Sequence, residues 1–377
     1  MRRTRKLIAT MLSLALVLGM TVTRFDSNNV KAADNGLSNP IADINLSSSV
    51  WENADIVSVD TVWDYEVLDD GTVKITGCNA AYENVVIPQV LDGKSVTEIG
   101  DYAFYGCSGL TSVEIPNSVT SIGEFAFSCC SSLTSVEIPD SVTSIGDYAF
   151  EECSSLTSVE IPDSVTSIGN GAFYDCSGLT SVEIPDSVIS IGGIVFGDCS
   201  NLNSIKVSTD NKVYDSRENC NAIIEKETNK LVQGCKNTII PNSVTEIGNY
   251  AFGGCSGLTS VEIPDSVTSI GGTAFSCCSS LTSVEIPNSV TSIGGQAFYG
   301  CSSLTSVEIP NSVTEIGYSA FSCCSSLTSV EIPNSVTSIG EFAFSCCSSL
   351  TSVEIPDSVT SIGDYAFEEC SSLTSVE

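Results

Sequence analysis

The chain has 377 residues, 42% of them apolar, and carries a formal net charge of −32 from 46 acidic and 14 basic side chains. Such a charge repels phosphate backbones and anionic lipid, so it argues against nucleic acid and acidic membranes as partners and favours cations or basic proteins. There is no histidine, which removes the commonest general base and a principal zinc ligand.

Residues 1–32 read as a secretory signal. Arg2, Arg3, Arg5 and Lys6 form a basic start, Leu7–Val22 an apolar core, and Val30-Lys31-Ala32 a small-residue cleavage site, so the mature chain is expected to begin near Ala33. The 16-residue core is shorter than the roughly 18–20 apolar residues of a membrane anchor, and no later segment could span a membrane. Cleavage would take six basic residues and one acid, leaving a net charge of −37. Residues 33–60 form a polar lead-in without a clear period. In residues 61–98, Tyr65–Leu68, the turn Asp69-Asp70-Gly71 and Thr72–Thr76 predict a β-hairpin that would cap the first, partial coil.

From residue 99 the chain repeats. The Ile-Gly pair recurs from Ile99, Ile122, Ile145, Ile168 and Ile191, and again from Ile247, Ile270, Ile293, Ile316, Ile339 and Ile362, always 23 residues apart except for one jump of 56. A period in this range means a solenoid, because one unit cannot bury its own apolar face and must stack on a neighbour. The arrays are 99–200 and 241–377, parted by an insertion at 201–240. Within one copy, Val136-Glu137-Ile138 alternates as a short strand with Glu137 facing away from the core, and Pro139 ends it. Ala149, Phe150 and Cys153 have a helical spacing, and Gly146 suits a bend before them. Each coil thus offers about seven apolar side chains, such as Leu133, Val136, Ile138, Val142, Ile145, Phe150 and Cys153, each worth roughly 1.5–3 kcal/mol when buried if large and apolar.

The pattern Leu-x-x-Val-x-Ile-Pro followed by Ile-Gly-x-x-Ala-Phe-x-x-Cys, over about residues 61–377, resembles the leucine-rich repeats of BspA-like surface proteins. The resemblance implies a right-handed leucine-rich repeat solenoid with a parallel sheet on the concave face and short helices on the convex face. It also implies secretion or surface display and adhesion to a protein of a host or neighbouring cell. The departure from that pattern is at the C-terminus, where the sequence reads as lacking an anchoring or cell-wall domain.

Eleven of the 18 cysteines, from Cys107 to Cys370, hold the position eight residues after the Ile of each Ile-Gly, where Cys acts as a small buried hydrophobe. No Cys-x-x-Cys is present, so no metal site is expected from them. The first Cys of each Ser-Cys-Cys, namely Cys129, Cys277, Cys323 and Cys346, is expected to face solvent and to be the reactive thiol if any is.

The insertion resembles the island of BspA-like arrays in Tyr214–Arg217 and Asn219–Ile224, and holds six of the mature chain's eight basic residues: Lys206, Lys212, Arg217, Lys226, Lys230 and Lys236. It is either a distinct contact patch or a hairpin looped out from one coil. A hairpin over Ala222–Glu225 and Lys230–Gln233, with Glu225 facing Lys230, would set Cys220 opposite Cys235; two buried free thiols are the simpler expectation. Residues 327–377 repeat 110–160 without a difference and stop within a strand, which reads as a truncated array.

The candidate ligand-binding residues are a ladder of glutamates, Glu114, Glu137, Glu160, Glu183, Glu262, Glu285, Glu308, Glu331 and Glu354, ending at Glu377. Parallel strands lie about 4.8 Å apart, so like charges would face one another on the concave sheet at a cost of roughly 1 kcal/mol in water and 3 at an effective dielectric of 20. Such a row suits a basic protein or weakly bound divalent cations, unless the side chains simply splay into water. Neighbouring carboxylates could meet the roughly 5 Å spacing of a retaining glycosidase. They share one environment, however, and cannot part their pKa values into acid and nucleophile. No catalytic residue or cofactor motif is assigned.

Overall fold

The computed structural model describes residues 63–78 and 83–376. The signal and the polar lead-in, at 1–32 and 33–60, lie outside the described residues, as does Glu377.

The expected hairpin is present as Trp63–Val67 paired antiparallel with Val73–Cys78. Its turn is closed by the Gly71 N–H donating to the Leu68 carbonyl at 2.9 Å. The hairpin does not form a separate cap. Val73–Cys78 pairs in parallel with Lys94–Ile99, and Val73 and Ile75 are fully buried in the common core. It therefore prolongs a row of strands, because its backbone donors are satisfied by the next coil rather than within a lid.

Beyond it the chain winds through about 13 turns of a parallel-sheet solenoid. Two short strands occur per coil where one was expected. Ser135–Glu137 pairs with Ser112–Glu114 in strict register, Val113 opposite Val136. After Pro139, whose carbonyl accepts the Val142 N–H at 3.0 Å, Ser144–Ile145 pairs with Ser121–Ile122. A two-residue strand has no period to read, so nothing in the sequence marks the second row. Nor is the first row one continuous sheet. It comes as a four-stranded, a two-stranded and a six-stranded piece, the break between the last two falling at the insertion.

The expected helices are absent. Among the described residues the sole helical element is a 3₁₀ turn at Arg217–Asn219. Packed helices need axes roughly 8–10 Å apart, whereas the buried Phe127 and Phe150 rings stack at 5.2 Å and Phe150 and Phe173 at 5.4 Å. The coil step is that of a sheet, with no room for a helix. Left-handed residues instead break each segment twice, at Phe125 and Cys129 in one coil and Tyr148 and Glu152 in the next. They turn alternate N–H groups toward the following coil: Phe125, Phe127 and Cys129 donate to the carbonyls of Asp147, Ala149 and Glu151 at 2.7–2.9 Å.

The same tight step explains the glycine. Gly146 does not have a positive φ, so the bend is not its reason. A Cβ there would lie 2.6 Å from the carbonyl carbon of Gly123 in the preceding coil.

Val136 and Ile138 point inward at 7% and 6% exposure, and Glu137 outward. The core is divided in two at the insertion. Ile223 packs into the first cluster while its neighbours Ala222 and Ile224 pack into the second. The insertion strand is thus buried on both faces and joins the two arrays.

Candidate functional site

The glutamate ladder emerges as the sequence places it. Glu114 faces Glu137, and Glu137 faces Glu160. In the second array Glu262, Glu285, Glu308, Glu331 and Glu354 follow one another in register. All of these side chains, with Glu183, are exposed. Each is held by the valine before it, buried beneath except for the half-buried Val261, and by parallel pairing to at least one neighbouring strand, so the register within each piece of the row is fixed.

The repeated threonines stiffen the same face. Thr134 Oγ1 donates to the Thr111 carbonyl at 3.2 Å, and Thr305 and Thr328 do so to the Thr282 and Thr305 carbonyls at the same distance. These bonds could have been anticipated from a hydroxyl repeating exactly where a sheet would stack it.

One ladder position is basic. Lys206 occupies it, opposite Glu183 on the strand Ser204–Val207. The register brings Glu160, Glu183 and Lys206 to a shallow open groove of about 480 Å³, floored by Ser158, Ser181 and Ser204. The spacing of Ile-Gly pairs hides this juxtaposition, because the insertion lengthens the coil after the strand and not before it.

The remaining basic residues of the insertion mostly serve the fold. Arg217 Nε lies 2.8 Å from Asp215, with Asn229 accepting from Nη1 at 2.8 Å. Lys230 meets Glu246 at 2.9 Å, Lys226 Nζ donates to the Asn211 carbonyl, and Lys236 Nζ to the Ser200 carbonyl at 3.0 Å. Asn211 is buried and fully satisfied, donating to the Pro185 and Val188 carbonyls and accepting from the Val213 and Tyr214 N–H groups. The hairpin forms with Glu225 opposite Lys230, but a bulge at Val232 shifts the register by one and pairs Ile223 with Gln233. That shift removes Cys220 from Cys235. Cys235 Sγ reaches the Asn221 carbonyl at 3.4 Å instead, and both cysteines are buried free thiols.

The column cysteines are buried as expected over most of its length, half-buried at Cys107 and Cys370. Burial pushes the Cys130 and Cys301 thiols up to about 12. Among the described residues there is no group of three or more Cys, Asp or Glu side chains placed to hold a metal ion, and no helix is long and apolar enough to cross a membrane.

Comparison with known proteins accords with this geometry. The family described as BspA type leucine rich repeat region matches six copies over residues 97–225, 222–325 and 272–377. A leucine rich cell surface protein of Faecalibacterium prausnitzii is 30% identical, with a TM-score of 0.60 over 86% of this chain and 95% of that one. A leucine-rich repeat protein of Eubacterium ventriosum is 25% identical, with a TM-score of 0.64 over 84% and 94%. The pneumococcal vaccine antigen PcpA, 17% identical with a TM-score of 0.57 over 83% and 84%, shares the fold. No curated protein matches the chain.

Proposed function

The chain belongs to the BspA-type leucine-rich repeat family, and from that premise we propose that it is a secreted or surface-displayed protein that binds a basic protein through the glutamate-bearing sheet face. The observation that carries the proposal is the fixed register of exposed carboxylates, Glu262 to Glu354 in one unbroken run. At about 4.8 Å per strand, such a row presents a regular negative potential to Lys and Arg side chains. Each contact is weak, and affinity comes from engaging several at once. The test is binding of the intact chain to immobilised lysine-rich peptide across a salt series. A variant with Glu285, Glu308 and Glu331 changed to Gln should lose most of the binding; equal binding by the variant would refute the proposal.

A second reading has its own observation. Thr-Ser-Val-Glu recurs almost unchanged over the face, whereas a dedicated protein site needs a varied cluster of aromatic and Arg anchors. On that reading the chain is a structural or antigenic surface array whose ladder holds divalent cations loosely. Absence of peptide binding together with a calcium-dependent rise in melting temperature would favour it.

A further inference from the structure

Four cysteines stand one residue before the buried column, at left-handed positions with φ of 57–61°. What each meets on the next coil differs. Cys129 Sγ approaches Glu152 Oε2 at 3.3 Å, and Cys277 Sγ lies over the space a Cβ would fill at Gly300. Cys323 alone is followed, 23 residues on, by another cysteine of the set, Cys346.

The backbone holds this pair in one orientation. The Cys323 N–H donates to the Ser345 carbonyl and the Cys346 N–H to the Glu368 carbonyl, each at 2.7 Å. Their φ values are 60° and 59°, so the two residues share one left-handed backbone conformation. The rings beneath give the coil step at this place: Phe321 and Phe344 stack at 5.5 Å. A disulfide requires Cα atoms roughly 4.4–6.8 Å apart, and one coil step falls inside that window. Both thiols are partly exposed. Ser345 lowers the Cys346 pKa by hydrogen bonding to its sulfur, but partial burial, the Glu369 carboxylate and Cys323 outweigh it and leave the pKa raised.

We propose that Cys323 and Cys346 form a dithiol site that closes into a disulfide between consecutive coils by exchange with a low-molecular-weight disulfide. One protein thiolate attacks a sulfur of the small disulfide, forms a mixed disulfide and expels the first small thiolate. The second protein thiolate attacks the protein sulfur of that mixed disulfide and expels the other small thiolate. The two protein thiols lose two electrons and two protons, and the small disulfide gains them as two thiols. The buried Cys324 and Cys347 behind them take no part, since the oxidant cannot reach sulfurs that are fully covered.

The experiment uses the full chain carrying Cys129→Ser, so that residues 125–137 no longer match residues 342–354 in mass. The protein is reduced, incubated with oxidised glutathione at pH 8.5, alkylated, and cleaved after glutamate without reductant. Peptide 316–331 should appear linked to peptide 342–354, with two fewer alkylated thiols; the link should vanish when Cys323→Ser is added, and when Cys346→Glu is added 316–331 should be unlinked to 347–354, the piece released by the new cleavage site. Glutamate already occupies the Cys346 position at Glu152 and Glu369, so that variant retains the fold, which circular dichroism verifies. Unlinked peptides, peptides carrying only glutathione, or a link that survives both variants would overturn the proposal.

Discussion

Cys153 Sγ donates to the carbonyl oxygen of Phe127, 26 residues earlier, at 3.3 Å. That oxygen already accepts the Cys130 N–H of its own coil at 3.2 Å. The bond recurs at Cys176 to Phe150 and at Cys324 to Phe298, so the column thiols tie each coil to its neighbour as well as filling space. Cys153→Val removes the donor and adds about one methyl group to a packed site, and should cost roughly 1–3 kcal/mol. Cys153→Ala also leaves a void and should cost about 2 kcal/mol. Urea midpoints for the two variants check this; a Val variant as stable as the parent would reduce the thiol to filler.

Burial of these thiols sets an alkaline limit to stability. Cys130 and Cys301 are pushed from an ordinary value near 9 to about 12 in the folded chain. Below pH 9 both folded and unfolded forms are protonated, and stability does not change on their account. Between about pH 9 and 12 the unfolded chain loses protons that the folded chain keeps, so stability falls with rising pH. Thermal melts at pH 7.5, 9 and 10.5 should show little change over the first step and a clear drop over the second. A melting temperature that stays level to pH 10.5 would contradict the assignment.

The ladder predicts a response to divalent cations. Adjacent carboxylates such as Glu308 and Glu331 repel by roughly 1–3 kcal/mol depending on the local dielectric. A cation shared between them offsets this. Millimolar calcium should therefore raise the melting temperature, and Glu285→Gln with Glu331→Gln, which leaves Glu308 without a charged neighbour on either side, should shrink the rise to what the intact row Glu114, Glu137 and Glu160 contributes. Equal shifts in parent and variant would show that the carboxylates are independently solvated.

The period, the inward valines and the outward glutamates were legible because each depends on alternation along one strand, and Val136-Glu137-Ile138 states it within three residues. Ser144-Ile145 was not legible as a strand, for its pairing partner is 23 residues away and nothing local marks it. The helix expected at Ala149–Cys153 failed for a related reason. Spacing reports which side chains share a face, not how closely the coils approach, and the approach is what excludes a helix. Lys206 entered the ladder unseen because its register with Glu183 is fixed by the coil before the insertion, and Cys220 missed Cys235 through a single bulged residue that no turn rule specifies.

Coil approach is also what makes one small residue indispensable. A methyl group on Gly146 would sit 2.6 Å from the Gly123 carbonyl carbon and 2.7 Å from its oxygen, both backbone atoms that cannot rotate away. To admit it, two coils must part by several tenths of an ångström. That would lengthen the hydrogen bond from Gly146 N–H to the Ile122 carbonyl, now 2.8 Å, and loosen the Phe127–Phe150 stack beside it. Overpacking of this kind costs roughly 1–3 kcal/mol in ordinary cores, and Gly146→Ala should fall at the upper end because the obstacle is main chain. Gly109→Ala is the matched control, since a Cβ there meets nothing within 4 Å, and it should change stability by less than about 1 kcal/mol. Hydrogen exchange would localise the effect: faster exchange at the N–H groups of Thr143, Gly146 and Phe127 in the Gly146→Ala chain is expected, with the array after the insertion unchanged. Wild-type protection at those three sites would mean that the coils tolerate a side chain there and that the stack is less rigid than its spacing implies.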